Sequence, residues 1–551
     1  MRLVARAAMV AALLFGLPSP VLARKAPPAP PPTSSLIDNV NGLAVDGEGR
    51  IVRFNGLLID KDGKVERRLQ PSDTRPASLI FRMDAQGKTL IPGFVDAHAH
   101  VIDTGLTLMT LDLSDCASLA EAQAVIAAYV RDNPGRKWIL GRGWDAARWG
   151  LSHPPGPVEL DSATGDIPAW LLSREGEQGW ANSAALKTAN AITAPRQKPL
   201  SPEEVQRRLR TVVPVPAPKD RDIALDKAQK LLLAAGYSLV TDMGIGIEDW
   251  QSYRRMGDRG ALRLRIAAYA SGIEQMVAIA GPEPSPWLYG ERLRMAGVHF
   301  ALDGSLGARR AWLSAPYADA PTITGSSAIA ATPLRNQMSR AAMDGFQIAV
   351  TAHGDAAISE AIAAFDEMAA TYKGDRRWRI IGADLLPADL QAQAAARGIV
   401  LSADPAALAR NWRLWDARLG TERAANVLPL ADLARASRPL SLGSAAPAGR
   451  PQPFRAIALA MTREDQAGEP FGGWNAQQRL SFELAFAAVT RAGAQAAFAE
   501  RLTGALEPGQ AADFLLIDRD ISVASPRDIA ATKVLENWIG GKAAYVSASA
   551  R

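Results

Sequence analysis

The chain has one cysteine, Cys116, among its 551 residues. No disulfide can form within it, so the fold must be stabilised by its buried core. The net positive charge is also small, because the formal charge of +5 drops to +3 once Arg2 and Arg6 leave with the leader described below. No basic run interleaved with aromatic residues occurs. We therefore expect no nucleic-acid partner.

Three common active-site motifs are absent from the sequence. It contains no Gly-x-Ser-x-Gly nucleophile elbow, no phosphate-binding glycine-rich loop and no dinucleotide-binding fingerprint. A serine hydrolase, a nucleotidase and a dehydrogenase therefore have no residues in this chain to support them.

The first 23 residues have the pattern of a secretory signal peptide. Arg2 and Arg6 precede an apolar run, AAMVAALLF, and small residues precede a cleavage point after Ala23. The apolar run is shorter than the roughly 20 residues that a membrane span needs. Residues 24–36 form a proline-rich linker. We expect a secreted, periplasmic protein that does not insert into the membrane after cleavage.

The rest of the chain divides into two kinds of pattern. Residues 37–92 and 504–551 consist of short alternating segments separated by turn residues, which predicts strands and hairpins. Residues 93–503 alternate short apolar runs with Ala-rich helical stretches, as expected of an α/β protein with a (β/α)₈ barrel. A polar, proline-rich region at about 145–220 interrupts this rhythm and predicts a helical insertion above the barrel mouth.

One stretch, residues 89–100, reads TLIPGFVDAHAH. Alternate side chains of a strand share a face, so His98 and His100 are expected to point into the same space. Two imidazoles at the end of a strand provide half of a metal site.

This stretch resembles the first barrel strand of the amidohydrolase superfamily. Residues 138–145 (WILGRGWD), residues 180–186 (WANSAAL) and the PGQAADFLLI run near the carboxyl terminus narrow the resemblance to the amidohydrolase-3 group with its YtcJ-like members. The resemblance covers nearly the whole chain after the leader. It implies a metal-bearing TIM-like barrel, and a composite β-sandwich built from residues 37–92 and 504–551.

The resemblance adds two histidines to the candidate metal ligands. His299 stands where the family has a lysine that bridges two metals when carbamylated, a reaction that histidine cannot undergo. His353 follows Thr351, which replaces a family histidine, by two residues; it would fall on the same strand face one layer higher if the strand continues, whereas a turn at Gly354 would rotate it away. With His98 and His100 these residues are candidate ligands for zinc or another divalent transition metal.

Two carboxylates are candidates for proton transfer. Glu177 stands where the family has a histidine, and a carboxylate can ligate a metal or act as a base. Asp404 ends the expected seventh strand beside Ala445, which replaces the family's ligand and proton-shuttling aspartate. At Gly382, another lost family histidine, no side chain can substitute. We therefore assign catalytic roles to Glu177 and Asp404.

Two functions follow from these residues. The first is an exported, metal-dependent hydrolase of C–N bonds, in amides or cyclic amides of small molecules, with a remodelled and mononuclear site. The second is a catalytically inactive descendant that keeps the barrel for binding or scaffolding. Both predict a small-molecule substrate or ligand. They differ in whether the histidines and a carboxylate converge on one point.

Overall fold

The structure is a computed structural model that describes residues 33–176, 178–191, 200–435 and 440–548. The predicted signal peptide, most of the linker and Glu177 lie outside the described residues. Within these ranges, no helix is long and apolar enough to cross a membrane.

The strands fall into three sheets. In chain order the strands are β1 Ser34–Val45, β2 Ile51–Asp60, β3 Val65–Leu69, β4 Phe81–Asp84, β5 Thr89–Pro92, β6 Phe94–Ala99, β7 Leu111–Asp112, β8 Ile139–Trp144, β9 Ala169–Ser173, β10 Gly179–Ala181, β11 Tyr237–Ile245, β12 Arg265–Ser271, β13 Leu293–Ala301, β14 Gln347–Ala352, β15 Arg379–Gly382, β16 Val400–Ala403, β17 Ser441–Leu442, β18 Phe514–Ile517, β19 Val534–Ile539 and β20 Lys542–Val546.

Helices connect and cover these strands. They are α1 Val101–Thr107, α2 Leu119–Asp132, α3 Pro157–Thr164, α4 Ser183–Thr188, α5 Pro202–Val212, α6 Pro218–Ala235, α7 Ile247–Asp258, α8 Gly272–Ala280, α9 Ala331–Met343, α10 Asp355–Ala369, α11 Ala388–Ala396, α12 Pro405–Leu419, α13 Thr421–Ala424, α14 Leu430–Arg435, α15 Pro453–Thr462, α16 Phe482–Ala488, α17 Arg491–Ala496 and α18 Pro526–Ala530.

Eight parallel strands form the barrel, in the order β6, β11, β12, β13, β14, β15, β16 and β17. Most of their residues are buried, because helices cover the outer face while side chains fill the interior. A parallel bridge between Ala99 and Ala446 joins the last strand to the first. The predicted α/β class with an eight-stranded barrel is confirmed.

Strands from both chain ends combine in one mixed sheet. β18 pairs antiparallel with β5, and β5 lies beside β1. A buried ion pair joins this sheet to the barrel, since Nε of Arg265 lies 2.7 Å from Oδ2 of Asp513. Arg265 begins β12, so the contact is at the amino ends of the barrel strands. The predicted union of the two chain ends is therefore confirmed.

The third sheet belongs to the segment between β6 and β11. It has four strands in the order β10, β9, β8 and β7, and α2 and α3 pack against one another beside it. Its own apolar core includes Ile126, Ile139 and Leu160. The range predicted as a helical insertion, about 145–220, contains α3 to α5 together with β9 and β10. We call the segment from β7 to α5 the inserted segment.

Candidate active site

A cavity of about 750 Å³ opens at the carboxyl ends of the barrel strands, between the barrel and the inserted segment. Catalytic residues of barrel enzymes lie at these strand ends. The barrel side of the cavity is lined by polar and small residues: His98, His100, His299, Thr351, His353, Gly382, Asp384, Asp404 and Ala445. Every predicted site residue within the described ranges therefore reaches the same cavity.

Closure of the barrel holds the paired histidines in place. The backbone N–H of Ala445 donates to the carbonyl of His98 at 2.9 Å, and that of His100 donates to the carbonyl of Ala446 at 2.8 Å. The two imidazole centroids lie 5.3 Å apart. The predicted sharing of one face by these side chains is therefore seen at the seam of the barrel.

The hydrogen bonds of the pair define their chemistry. Nδ1 of His100 lies 2.7 Å from the carbonyl oxygen of Met243, which only accepts, so Nδ1 carries the proton and Nε2 keeps its lone pair. Nε2 of His98 is buried and has no hydrogen-bond partner within the described part of the chain. Burial and the neighbouring imidazoles hold the pKa of His98 well below its usual value.

His299 on β13 contacts a hydroxyl on the neighbouring strand β14. Its Nε2 lies 2.8 Å from the hydroxyl of Thr351, the residue that replaces a family histidine. Burial, with the charges of His100 and Arg379, lowers the pKa of His299 to about 3. The imidazole is therefore neutral in the folded protein at neutral pH.

His353 forms a hydrogen-bonded pair with an aspartate that follows the neighbouring strand β15. Its Nδ1 lies 2.8 Å from Oδ2 of Asp384. Its backbone N–H donates to Oδ1 of Asp303 at 2.8 Å, and Oδ2 of Asp303 accepts from the N–H of Gly354 at 2.9 Å. The backbone that carries the imidazole is thereby held by the half-buried carboxylate of Asp303, while the ring is oriented by the buried carboxylate of Asp384.

The ring of His353 occupies the space beside Gly382. A Cβ placed on Gly382 would lie 2.8 Å from Cε1 and Nδ1 of the His353 ring, closer than such atoms approach. The φ of Gly382 is +88°, which also favours glycine. The family histidine at this position and the observed position of His353 therefore exclude one another.

Asp404 has a different environment from the one expected of a base. Its Oδ1 accepts from the N–H of Ala406 at the start of α12, and its Oδ2 accepts from Nη2 of Arg410 at 2.8 Å. Burial raises the pKa of Asp404, and the charge of Arg410 opposes that shift. Both oxygens are thus engaged, and catalysis by Asp404 stays a prediction.

Sequence reasoning missed the importance of Asp384 and Arg410. The signal was present for Asp384, because it follows Gly382 by two residues just as His353 follows Thr351. His353 and Asp384 thus each follow the end of one of two adjacent strands, since β14 ends at Ala352 and β15 at Gly382. Arg410 lies within α12, and a helical arginine gives no comparable signal.

The metal implied by the family requires about three protein ligands. In residues 33–176, 178–191, 200–435 and 440–548, no group of three or more His, Cys, Asp or Glu residues is arranged to hold a metal ion. His98 and His100 lie side by side, whereas His299 and His353 each have one ring nitrogen engaged, by Thr351 and Asp384 respectively. The described residues therefore do not complete a metal centre.

A parallel barrel with polar residues gathered at the carboxyl ends of its strands is the arrangement found in barrel enzymes. The chain belongs to the amidohydrolase family, whose model matches residues 82–545. The predicted resemblance to this family is confirmed.

Three relatives are similar to this chain over most of their length. "Protein LONG AFTER FAR-RED 3" of Arabidopsis thaliana is 28% identical, over 84% of this chain and 83% of the relative. "Putative amidohydrolase YtcJ" of Bacillus subtilis is 24% identical, over 83% and 89%. "N-substituted formamide deformylase" of Arthrobacter pascens is also 24% identical, over 84% and 89%.

A solved structure shares the fold. It is an uncharacterized metal-dependent hydrolase from Pyrococcus horikoshii OT3, 24% identical, with a TM-score of 0.73. The match covers 90% of this chain and 99% of that chain. The barrel and the sheet from both chain ends are therefore arranged as in a known member of this fold.

We predict that Gly382→Ala destabilises the protein by more than the strain of a positive φ alone would. The new Cβ meets the His353 ring and also requires a positive φ, so we expect a destabilisation of about 2–4 kcal/mol. Gly150→Ala is the matched control, because Gly150 has a φ of +71° with no atom near the added Cβ. Thermal unfolding of both variants measures the difference, and equal destabilisation would contradict the steric role assigned to Gly382.

The lowered pKa of His299 predicts that the stability of the protein depends on pH. Its pKa of about 3 lies below the ordinary 6.5, so the unfolded chain takes up a proton that the folded chain does not. Stability should fall as the pH decreases from 6.5 towards 3, by at most about 1.4 kcal/mol per pH unit. His299→Gln should weaken this dependence, whereas His153→Gln, at an exposed histidine, should not. Unfolding midpoints at pH 7 and 5 test it, and identical profiles would refute the assignment.

Proposed function

We propose that this protein hydrolyses a C–N bond in small amides or cyclic amides, with His353 and Asp384 as the proton-transferring pair. The observation that carries the proposal is the 2.8 Å contact between Nδ1 of His353 and Oδ2 of Asp384 at the wall of the cavity. Membership of the amidohydrolase family supports the reaction class. The relative named as a deformylase of N-substituted formamides supports a C–N bond as the target.

The chemistry follows from the orientation of the imidazole. The Asp384 carboxylate accepts a hydrogen bond from Nδ1–H, so Nε2 of His353 is the basic nitrogen. The same carboxylate stabilises the imidazolium as it develops. Nε2 takes a proton from water as its oxygen attacks the carbonyl carbon. When the tetrahedral intermediate breaks its C–N bond, the same proton passes to the departing nitrogen. The products are a carboxylic acid and an amine.

In the family, a metal ion polarises the carbonyl and supplies hydroxide when it is bound. We propose His98 and His100 as the donors that would face such an ion, and Glu177 keeps its predicted role as a further ligand or base. Since no three of the described residues are arranged to hold a metal ion, no step of the reaction is routed through a metal here.

The test is hydrolysis of a panel of N-formyl amines, N-acyl amines and cyclic amides by the purified full-length mature protein. His353→Gln and Asp384→Asn should each lower kcat by about 10²–10⁴-fold, because each removes the proton transfer or its orientation. Asp132→Asn, at an exposed position on α2, should leave kcat unchanged. Elemental analysis of every variant, with His98→Ala/His100→Ala included, separates loss of proton transfer from loss of a bound metal.

Two results would contradict the proposal. If wild-type protein hydrolyses no member of the panel while binding some of them, the protein is the non-catalytic binding member of the family that the sequence also allows. If His353→Gln is fully active, another group transfers the proton. Loss of activity in His353→Gln at unchanged metal content is the result that we expect.

Export is part of the proposal. The leader pattern of residues 1–23, followed by a proline-rich linker, supports cleavage after Ala23 and a periplasmic location. A periplasmic enzyme of this kind would act on small molecules that enter from outside the cell.

A further inference from the structure

We propose that the substrate carries a carboxylate and that Arg142 of the inserted segment binds it. This inference rests on the proposed function for the identity of the scissile bond, but its evidence is separate. Arg142 lies on β8 and lines the cavity opposite the barrel histidines. Only 8% of its surface is exposed.

The guanidinium of Arg142 is largely unused by the protein. Its Nη2 donates to the carbonyl of Arg174 at 2.6 Å, and within the described residues no carboxylate lies within ion-pair distance of it. A guanidinium has five N–H donors. A buried cation without a partner is costly, and an incoming anion offsets that cost.

The other arginines of this region differ from Arg142. Nη2 of Arg410 lies 2.8 Å from Oδ2 of Asp404, and Nε of Arg174 lies 4.0 Å from Oδ2 of Asp145. Arg136 is exposed at the rim of the cavity, where it lies over the ring of Tyr129. The acids whose charges reach Arg142 at longer range are Asp103, Glu175 and Asp112. None of these forms an ion pair with Arg142, which lines the cavity.

The local sequence fixes the position of Arg142. Gly141 and Gly143 flank it, and a Cβ on either would lie within 2.5 Å of backbone atoms of the neighbouring segment around Leu111 and Ser114. β8 therefore packs against β7 at a distance that only glycine permits. The arginine between the two glycines stands on a strand that is paired on both sides.

The neighbouring wall of the cavity suggests the rest of the ligand. Carboxylates accept two parallel N–H bonds from the fork of a guanidinium, which lysine cannot offer. Apolar side chains of the same cavity can receive an apolar substituent: Met109, Leu140, Trp170, Leu172 and Val213. The chemical class is thus an amide with one carboxylate and one apolar group, as in an N-acylated apolar amino acid.

The experiment compares two probes that differ only in charge, N-acetylleucine and its neutral carboxamide, by calorimetry on the full-length mature protein. Wild-type protein should bind the acid at least about tenfold more tightly than the amide, as expected for a charge-assisted bidentate contact. Arg142→Met should remove that preference by weakening the acid alone. Arg131→Met deletes one positive charge from an exposed site on α2 and should keep the preference.

Arg142→Lys covers the case in which Arg142→Met does not fold, because it keeps the charge but not the fork. It should lose at least about threefold of the preference. Equal binding of acid and amide by wild-type protein, binding of neither, or an unchanged preference in Arg142→Lys would overturn the inference. Parallel product analysis separates the two proposals. A charge preference without hydrolysis refutes only the proposed function, and hydrolysis of neutral amides without a preference refutes only this inference.

Discussion

The imidazole of His353 and the missing side chain of Gly382 are two sides of one steric constraint, and the arrangement of the site depends on it. With a side chain at position 382 the ring could not lie where Nδ1 meets Asp384. The glycine at position 382 is therefore linked to the polar pair of His353 and Asp384, which follow the ends of β14 and β15.

Two parts of the molecule line the cavity: the carboxyl ends of the barrel strands and the inserted segment. The barrel strands supply the imidazoles and the Asp384 carboxylate, on backbone held by the closed ring of hydrogen bonds. The inserted segment supplies the opposite wall, where Arg142 stands among apolar side chains. Chemistry on rigid strands and recognition on a separate segment allow the substrate to change while the reaction class is kept.

Much of the fold could be predicted from the sequence, because apolar runs and helical stretches alternate regularly and both chain ends have strand patterns. His98 and His100 could be placed together because strand geometry alone puts them on one face. Asp384 could not be paired with His353 in the same way, since the contact joins two strands and depends on the empty space at Gly382. The engagement of Asp404 by Arg410 likewise depends on the direction of α12, which a sequence pattern does not fix.

Chemical rescue tests whether the imidazole of His353 transfers the proton. His353→Gly should have little activity, and added imidazole should restore part of it with saturation, because free imidazole can enter the vacated space. His153→Gly, at the exposed histidine, should retain full activity and show no response to imidazole. An inactive His353→Gly protein that folds normally but is not rescued at any imidazole concentration would contradict proton transfer by His353.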